Sequence, residues 1–148
     1  MEHNKPLVAV GLSLLGWPMG ELYTQLMKHY GLTSLSAFES ISLMWLKEPN
    51  WVLGLLGAVG FNFWISLSIY YSTKLWGADY LPLKGMMLAM TSESLLFNIF
   101  GIISKNDQLI QNVSGNFVHA SAAGLGGLFS SYLIKKYLFK KRPSGKDR

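Results

Sequence analysis

Four long segments with few charged residues constrain the fold of this chain more than any other feature. They cover residues 7–27, 51–76, 84–104 and 113–134. Each approaches the ~20 residues that an α-helix needs to cross the hydrocarbon core of a bilayer. None shows the alternation of apolar and polar residues that is typical of strands, so we predict a helix in each. The predicted fold class is therefore all-α: an integral membrane bundle of four transmembrane helices.

The composition agrees with a membrane protein. Of the 148 residues, 50% are hydrophobic and 14% are charged, whereas a soluble domain has ~25% charged residues. The length predicts a single membrane domain, residues 1–148. A soluble helical protein with buried helices is the alternative, because the mean hydropathy of +0.26 is low for a membrane protein. The chain has no cysteine, which excludes disulfides, thiolate metal sites and thiol catalysis.

The positions of lysine and arginine predict the orientation in the membrane. Four crossings place both termini on one side, and that side carries ten of the 13 basic residues. Since cytoplasmic loops are enriched in these residues, we predict that both termini are cytoplasmic and that the membrane is the plasma (inner) membrane. Residues 135–148 form a basic tail with seven of the ten. We expect this tail to bind anionic lipid, not nucleic acid, since nucleic-acid binding normally uses a basic patch on a folded face and the tail is only a short chain end.

The longest loop joins the first two predicted spans and contains a helix signal. Ser36 and Glu39 have the spacing of a capping box, and apolar residues follow at helical intervals. We predict a short amphipathic helix over residues 37–48, which Pro49 ends. Two placements remain open for this helix. It lies flat on the outer membrane face, or it packs as an extracellular cap.

Polar residues inside the predicted spans are the candidate binding residues. They are Glu21, Asn62, Glu93, Asn98 and His119. Because a charge at the bilayer centre costs about 2.5–3.5 kcal/mol on insertion scales, such residues usually face the interior of the protein and find partners there. A rise of ~1.5 Å per residue predicts one level in the outer half for Glu21, Asn98 and His119, and a midplane position for Asn62 and Glu93. Glu93 and Asn98 point about 140° apart, so we expect them to face different neighbouring helices.

Two roles remain open for Glu93, the most central of the ionisable candidates. An apolar environment favours the neutral form of a carboxyl group, which can then donate a hydrogen bond to Asn62 as a structural contact. The other role is a functional protonation site that water reaches. For Glu21, which shares a helix face with Gln25 and Lys28, the alternatives are a polar vestibule and a helix end that meets solvent.

Two further patterns concern helix packing. Small residues recur every four positions in the second predicted span: Gly54, Ala58, Asn62 and Ser66. Similar repeats occur in the fourth span, and faces of this kind let membrane helices approach closely. In the first span, Pro18 lacks the N–H that would bond to the carbonyl of Leu14, so we expect a kink there.

One segment of the first span resembles a known family. The stretch GELYTQLMK, residues 20–28, is similar to the first helix of small multidrug-resistance transporters, in which a membrane glutamate exchanges protons for cations. The resemblance is confined to this segment, since the other three spans do not follow the pattern of that family. It implies proton-coupled transport with Glu21 as the exchanging acid.

No motif of a known catalytic site is present. The sequence lacks a phosphate-binding glycine loop, a nucleophile elbow and an HExxH signature, and one intramembrane histidine does not make a metal site. We therefore infer no enzyme activity, no cofactor and no metal. The first functional hypothesis is a structural or interaction subunit, acting as a homo-oligomer or with a membrane protein partner. The second is a small proton-coupled transporter or channel that uses Glu93 with Glu21 and His119, and the third is a membrane-embedded lipid-modifying enzyme.

Overall fold

The fold is built from α-helices. The computed structural model describes residues 4–104 and 106–139, and within these ranges it contains helices and no strand. The helices are α1 (Lys5–Leu14), α2 (Trp17–His29), α3 (Ala37–Ser42), α4 (Trp51–Trp76), α5 (Leu81–Ser104) and α6 (Val113–Leu138). A 3₁₀ turn, Asp107–Leu109, lies between α5 and α6. The prediction of an all-α fold is confirmed. Most of the predicted basic tail, from residue 140 onwards, lies outside the described residues.

Three of the helices are long and apolar enough to cross a membrane: α4, α5 and α6. The helix α4 has the same bounds as the predicted span 51–76. The helix α5 begins three residues before the predicted span 84–104, and α6 extends four residues beyond the predicted span 113–134. Charge-poor segments of this length therefore locate the long helices well, because the pattern that marks them is local.

The first predicted span, 7–27, is not one helix. It is divided into α1 and α2 by a break at Leu15 and Gly16. Pro18 lies in the first turn of α2, where its missing N–H is tolerated, whereas a continuous helix would clash with its ring. The expected kink therefore takes the form of a two-residue break in the α-helix, at which the backbone of Leu15 and Gly16 keeps right-handed helical angles. The helix α6 packs against this break, since Ser130 Oγ donates to the carbonyl of Ser13 at 3.1 Å.

The pair α1 and α2, then α4, α5 and α6 run alternately in opposite directions, and both described ends of the chain lie at the same end of the bundle. A buried apolar cluster marks this terminal end. Its members are Ala9, Ile69, Tyr70, Leu81 and Ile134. We call the opposite end, which carries α3 and the connection between α5 and α6, the cap end. The helix α5 packs mainly on α6 and makes few contacts with α4, so the bundle is loosest between α4 and α5.

The helix α3 begins at the predicted capping box. Ser36 Oγ accepts a hydrogen bond from Glu39 N, and Glu39 Oε2 accepts one from Ser36 N at 2.7 Å. The helix ends at Ser42 and is shorter than the predicted 37–48, because the chain turns tightly after it. Phe38 and Ile41 are buried. Of the two placements considered for this helix, the structure has the packed cap and not a helix lying flat on the surface.

The small residues that recur every four positions in α4, from Gly54 to Ser66, are buried within the chain. Gly54 lies so close to α3 that a Cβ atom there would overlap the carbonyl oxygen of Phe38. Gly85 of α5 and Gly127 of α6 approach each other in the same way, and a Cβ on Gly127 would lie 2.5 Å from the carbonyl oxygen of Gly85. The close approaches that these residues allow are therefore between helices of one chain.

Candidate functional site

A narrow cavity of about 100 Å³ lies at the centre of the bundle, and all six helices contribute to its wall. Most of the wall is apolar and includes the aromatic rings of Trp17, Phe61 and Phe97. Four of the five candidate residues line it: Glu21, Asn62, Glu93 and His119. A water molecule needs ~10–15 Å³ of such space, so the cavity has room for several waters. The polar residues that the sequence placed inside the spans are thus mostly brought together by the fold.

Glu21 is a buried carboxylate whose oxygens are occupied by protein donors. Its side chain is in α2 and the residue is 6% exposed. Oε1 accepts hydrogen bonds from Gln25 Nε2 at 2.8 Å and from Trp51 Nε1 at 2.7 Å, and Oε2 accepts one from the Phe38 backbone N–H at 2.9 Å. This carboxylate therefore connects α2 with α3 and α4. Its burial argues against the helix end that meets solvent, one of the two alternatives from the sequence, and the side chain does line the cavity.

Lys28, which shares a helix face with Glu21, is paired with another acid. Its Nζ donates to both carboxylate oxygens of Glu39, at 2.6 and 2.8 Å. Burial alone would raise the pKa of Glu39, but the hydrogen bonds from Lys28 and from Ser36 N, together with the Lys28 charge, outweigh it and lower the pKa below its usual value. The charged form of Glu39 is thus favoured, and it holds α3 against α2 at the cap end.

Asn62 is fully buried in α4 and is satisfied by α1. Its Oδ1 accepts a hydrogen bond from Ser13 Oγ at 2.9 Å and one from Ser66 Oγ at 3.3 Å. Its Nδ2 points to the carbonyl of Val10 at 3.5 Å. The hydroxyl groups of Ser13 and Ser66 are also in close contact with each other. Asn62 therefore ties α1 to α4, and the structure does not show the hydrogen bond to Glu93 that the sequence suggested.

Glu93 extends from α5 into the wall of the cavity, where it is half-buried. Within residues 4–104 and 106–139, no hydrogen bond and no ion pair reaches its carboxylate. Glu93 continues, at intervals of four, the row of Gly85 and Ala89, both of which lie against Gly127 of α6. Among the polar candidates on the cavity wall, Glu93 is the one whose side chain has no partner in the described part of the chain.

His119 is held by a polar cluster at the cap end. The residue is 5% exposed, and its Nε2 accepts a hydrogen bond from Gln111 Nε2 at 2.9 Å. The Gln111 Oε1 in turn accepts a hydrogen bond from Thr33 Oγ1 at 2.6 Å. The imidazole ring also packs on Phe97, with ring centroids 5.6 Å apart. Sequence analysis did not single out Gln111, because it lies in a connecting segment where a polar residue is unremarkable.

Asn98 does not join the other candidates. It is exposed on α5, and its Nδ2 donates to the carbonyl of Ser94 in the same helix at 2.7 Å. The angle of about 140° between Asn98 and Glu93 on the helix wheel is consistent with this position. However, the expectation that Asn98 faces a neighbouring helix of the chain is wrong, since the residue is exposed.

The chain has no match among known proteins in any of three comparisons: family models, curated proteins and solved structures. The residues that the structure describes also contain no group of three or more His, Asp or Glu side chains that could hold a metal ion. The chemistry of the site therefore follows from its own geometry. Glu21, Asn62 and His119 are engaged in hydrogen bonds that join helices, and the Glu93 carboxylate is accessible to a proton, a water molecule or a small cation in the cavity.

Proposed function

We propose that this protein is a small proton-coupled transporter of the plasma membrane, in which Glu93 takes up and releases a proton inside the central cavity. One observation carries the proposal: Glu93 is an acid on an apolar cavity wall with no partner among the described residues. An acid in such a position destabilises the fold. A group of this kind is expected where the function requires it to bind and release a proton.

The proposal includes four membrane crossings, the first of which is formed by α1 and α2 together. Irregular backbone at membrane depth is tolerated where it is buried in protein or lines a cavity. At the break, Gly16 is buried, and Ser130 of α6 donates a hydrogen bond to the carbonyl of Ser13. Discontinuous helices of this type form binding sites in many transporters. Both termini are cytoplasmic in this proposal, which is supported by the bias of ten basic residues against three.

The two other hypotheses have less support. The small-residue faces that favoured a structural or interaction subunit are used for packing within the chain, as at Gly54 and Gly127. A lipid-modifying enzyme would need Glu21 and His119 as a free acid and base. Both side chains instead accept hydrogen bonds from protein donors.

A flux measurement on purified protein in liposomes tests the proposal. The liposomes contain a pH-sensitive dye, and a potassium gradient with valinomycin drives protons inwards. We expect faster acidification than in protein-free liposomes, a loss of this flux in Glu93→Gln, and partial flux in Glu93→Asp, which keeps the acid. The matched control is Asp107→Asn, an exposed acid in the connection between α5 and α6. Flux that is absent in the wild type, or equal in Glu93→Gln and the wild type, would overturn the proposal.

A further inference from the structure

The helix α5 has an outward face that is not uniformly apolar. In the most apolar 18-residue window of α5, 6% of the residues are buried. In the corresponding windows of α4 and α6, the buried shares are 28% and 50%. Four small or polar residues recur on one side at intervals of three and four: Thr91, Ser94, Asn98 and Gly101. The first three are exposed, and a Cβ atom on Gly101 would meet open space. We call these four residues the polar stripe.

The polar stripe contains hydrogen-bonding groups that the hydrocarbon of a lipid bilayer cannot satisfy. The Asn98 amide makes one hydrogen bond, to the carbonyl of Ser94, and the described residues offer no partner to its Oδ1. The hydroxyl groups of Thr91 and Ser94 likewise make no hydrogen bond within residues 4–104 and 106–139, whereas the exposed hydroxyl of Ser68 on α4 bonds to its own helix at 2.9 Å. Asn98 lies ~9 Å before the end of α5, at a depth where hydrocarbon offers no hydrogen-bond partner.

From this face we infer that two copies of the chain associate in the membrane through their α5 helices, with the polar stripe as the contact. Copies that insert with the same topology are related by a two-fold axis along the membrane normal, so each residue of the stripe faces its own counterpart. The intervals of three and four are those with which one helix meets a parallel neighbour. The axis thus places Asn98 against Asn98 of the second copy.

The chemistry of the stripe favours a second copy over a different protein. An amide group both donates and accepts hydrogen bonds, as do the hydroxyls of Thr91 and Ser94, so each matches an identical group. The stripe carries no charge, and identical residues therefore do not repel each other. Gly101 adds a position without a side chain, where the two backbones can approach closely. This pairing does not involve the cavity and is independent of the proposed transport.

Disulfide crosslinking tests the inference directly, because the chain has no cysteine of its own. Ser94→Cys is placed in the stripe, and Leu95→Cys is a matched control that is also exposed, one residue away and about 100° around the helix. Both variants are purified, reconstituted alone in liposomes at a low ratio of protein to lipid, and oxidised with copper phenanthroline. We expect a band of twice the chain mass for Ser94→Cys and about tenfold less of it for Leu95→Cys.

A second substitution distinguishes a specific contact from random collision. In the Ser94→Cys background, Asn98→Leu should reduce the crosslinked dimer roughly threefold to tenfold, because the interhelical hydrogen bond is lost. Asn98→Gln, which keeps an amide, should restore part of it. Equal crosslinking of Ser94→Cys and Leu95→Cys, or a dimer yield that Asn98→Leu does not change, would overturn the inference. So would a reconstituted Ser94→Cys protein that remains a monomer after oxidation.

Discussion

The Trp51 indole nitrogen donates a hydrogen bond of 2.7 Å to the carboxylate of Glu21, so an acid in α2 holds the first residue of α4. The same carboxylate accepts the backbone N–H of Phe38 and thereby also holds α3. One buried side chain thus positions three elements at the cap end. The acid that the sequence relates to a proton-exchanging glutamate is therefore engaged in structure. Of the two acids on the cavity wall, Glu93 is the one whose carboxylate has no partner among the described residues.

Replacement of Glu21 should destabilise the protein. In Glu21→Ala the donors Phe38 N and Trp51 Nε1 lose their acceptor, and each unsatisfied donor costs about 1–3 kcal/mol. We expect a loss of roughly 2–4 kcal/mol in the free energy of unfolding, and a smaller loss in Glu21→Gln, whose amide oxygen still accepts. Tryptophan fluorescence during unfolding in detergent measures both. The control is Glu48→Ala, which removes an exposed acid. Equal stability of Glu21→Ala and Glu48→Ala would contradict the structural role of Glu21.

Replacement of Glu93 should have the opposite effect on stability. Glu93→Leu removes an acid from an apolar wall where it has no partner among the described residues, so the free energy of unfolding should rise by about 1 kcal/mol. Proton flux should be lost in the same variant. The unfolding measurement used for Glu21 applies here too. If Glu93→Leu is as unstable as Glu21→Ala, then Glu93 supports the fold and is not a free functional acid.

The Lys28–Glu39 pair should make the cap end sensitive to acid. The pKa of Glu39 is lower in the folded protein than its usual value of 4.5, so the pair's contribution is complete above pH 4.5 and is lost as the pH falls through the lower, folded value. Both side chains are partly exposed, which limits the contribution to about 0.5 kcal/mol.

Hydrogen exchange of the α3 amides measures this effect. After correction for the intrinsic rates, the amides of residues 37–42 should exchange faster below the folded pKa of Glu39 than at pH 7. Glu39→Gln keeps an acceptor for the Ser36 N–H but has no charge, and should therefore exchange with little dependence on pH. A wild-type protein whose α3 protection is the same at both pH values would show that the ion pair does not hold α3.

A single methyl group at Gly54 should displace α3. In Gly54→Ala the new Cβ overlaps the carbonyl oxygen of Phe38, and backbone atoms can yield less than a flexible side chain. We expect a loss of about 3 kcal/mol, at the upper end of overpacking effects. Gly60→Ala in the same helix is the matched control, since its Cβ meets open space. The control should gain up to about 1 kcal/mol from helix propensity. Similar unfolding free energies in the two variants would contradict the close contact of α3 with α4.

The cluster around His119 should depend on Gln111. In Gln111→Leu the ring nitrogen loses the amide that donates to it, and Thr33 Oγ1 loses its acceptor. The expected loss of stability is about 1–2 kcal/mol. Gln108→Leu, at an exposed position in the same connection, is the control and should be close to the wild type. An equal effect of both substitutions would mean that the connection is sensitive as a whole and that the cluster has no special role.

The predictions that succeeded depend on local information. The long helices α4 to α6 follow from runs of apolar residues, and the start of α3 follows from the spacing of Ser36 and Glu39. The interruption of the first span was only partly anticipated. Pro18 predicts an irregularity in a helix, but only the structure shows that the irregularity is a break at Leu15 and Gly16 and that α6 packs beside it.

The sequence by itself determined that this chain is helical, where its three long apolar helices lie, and which few polar residues lie within apolar segments. Only the tertiary structure decided which partners those residues have. The sequence paired Asn62 with Glu93 by depth, whereas the fold pairs Asn62 with Ser13 and leaves Glu93 on the cavity wall. The physical reason is that depth along a helix follows from counting residues, but the direction in which a side chain points is meaningful only once neighbouring helices occupy their places. The helix α5 packs mainly on α6, Asn98 points outwards from this pair, and Glu93 reaches the cavity wall without a partner among the described residues.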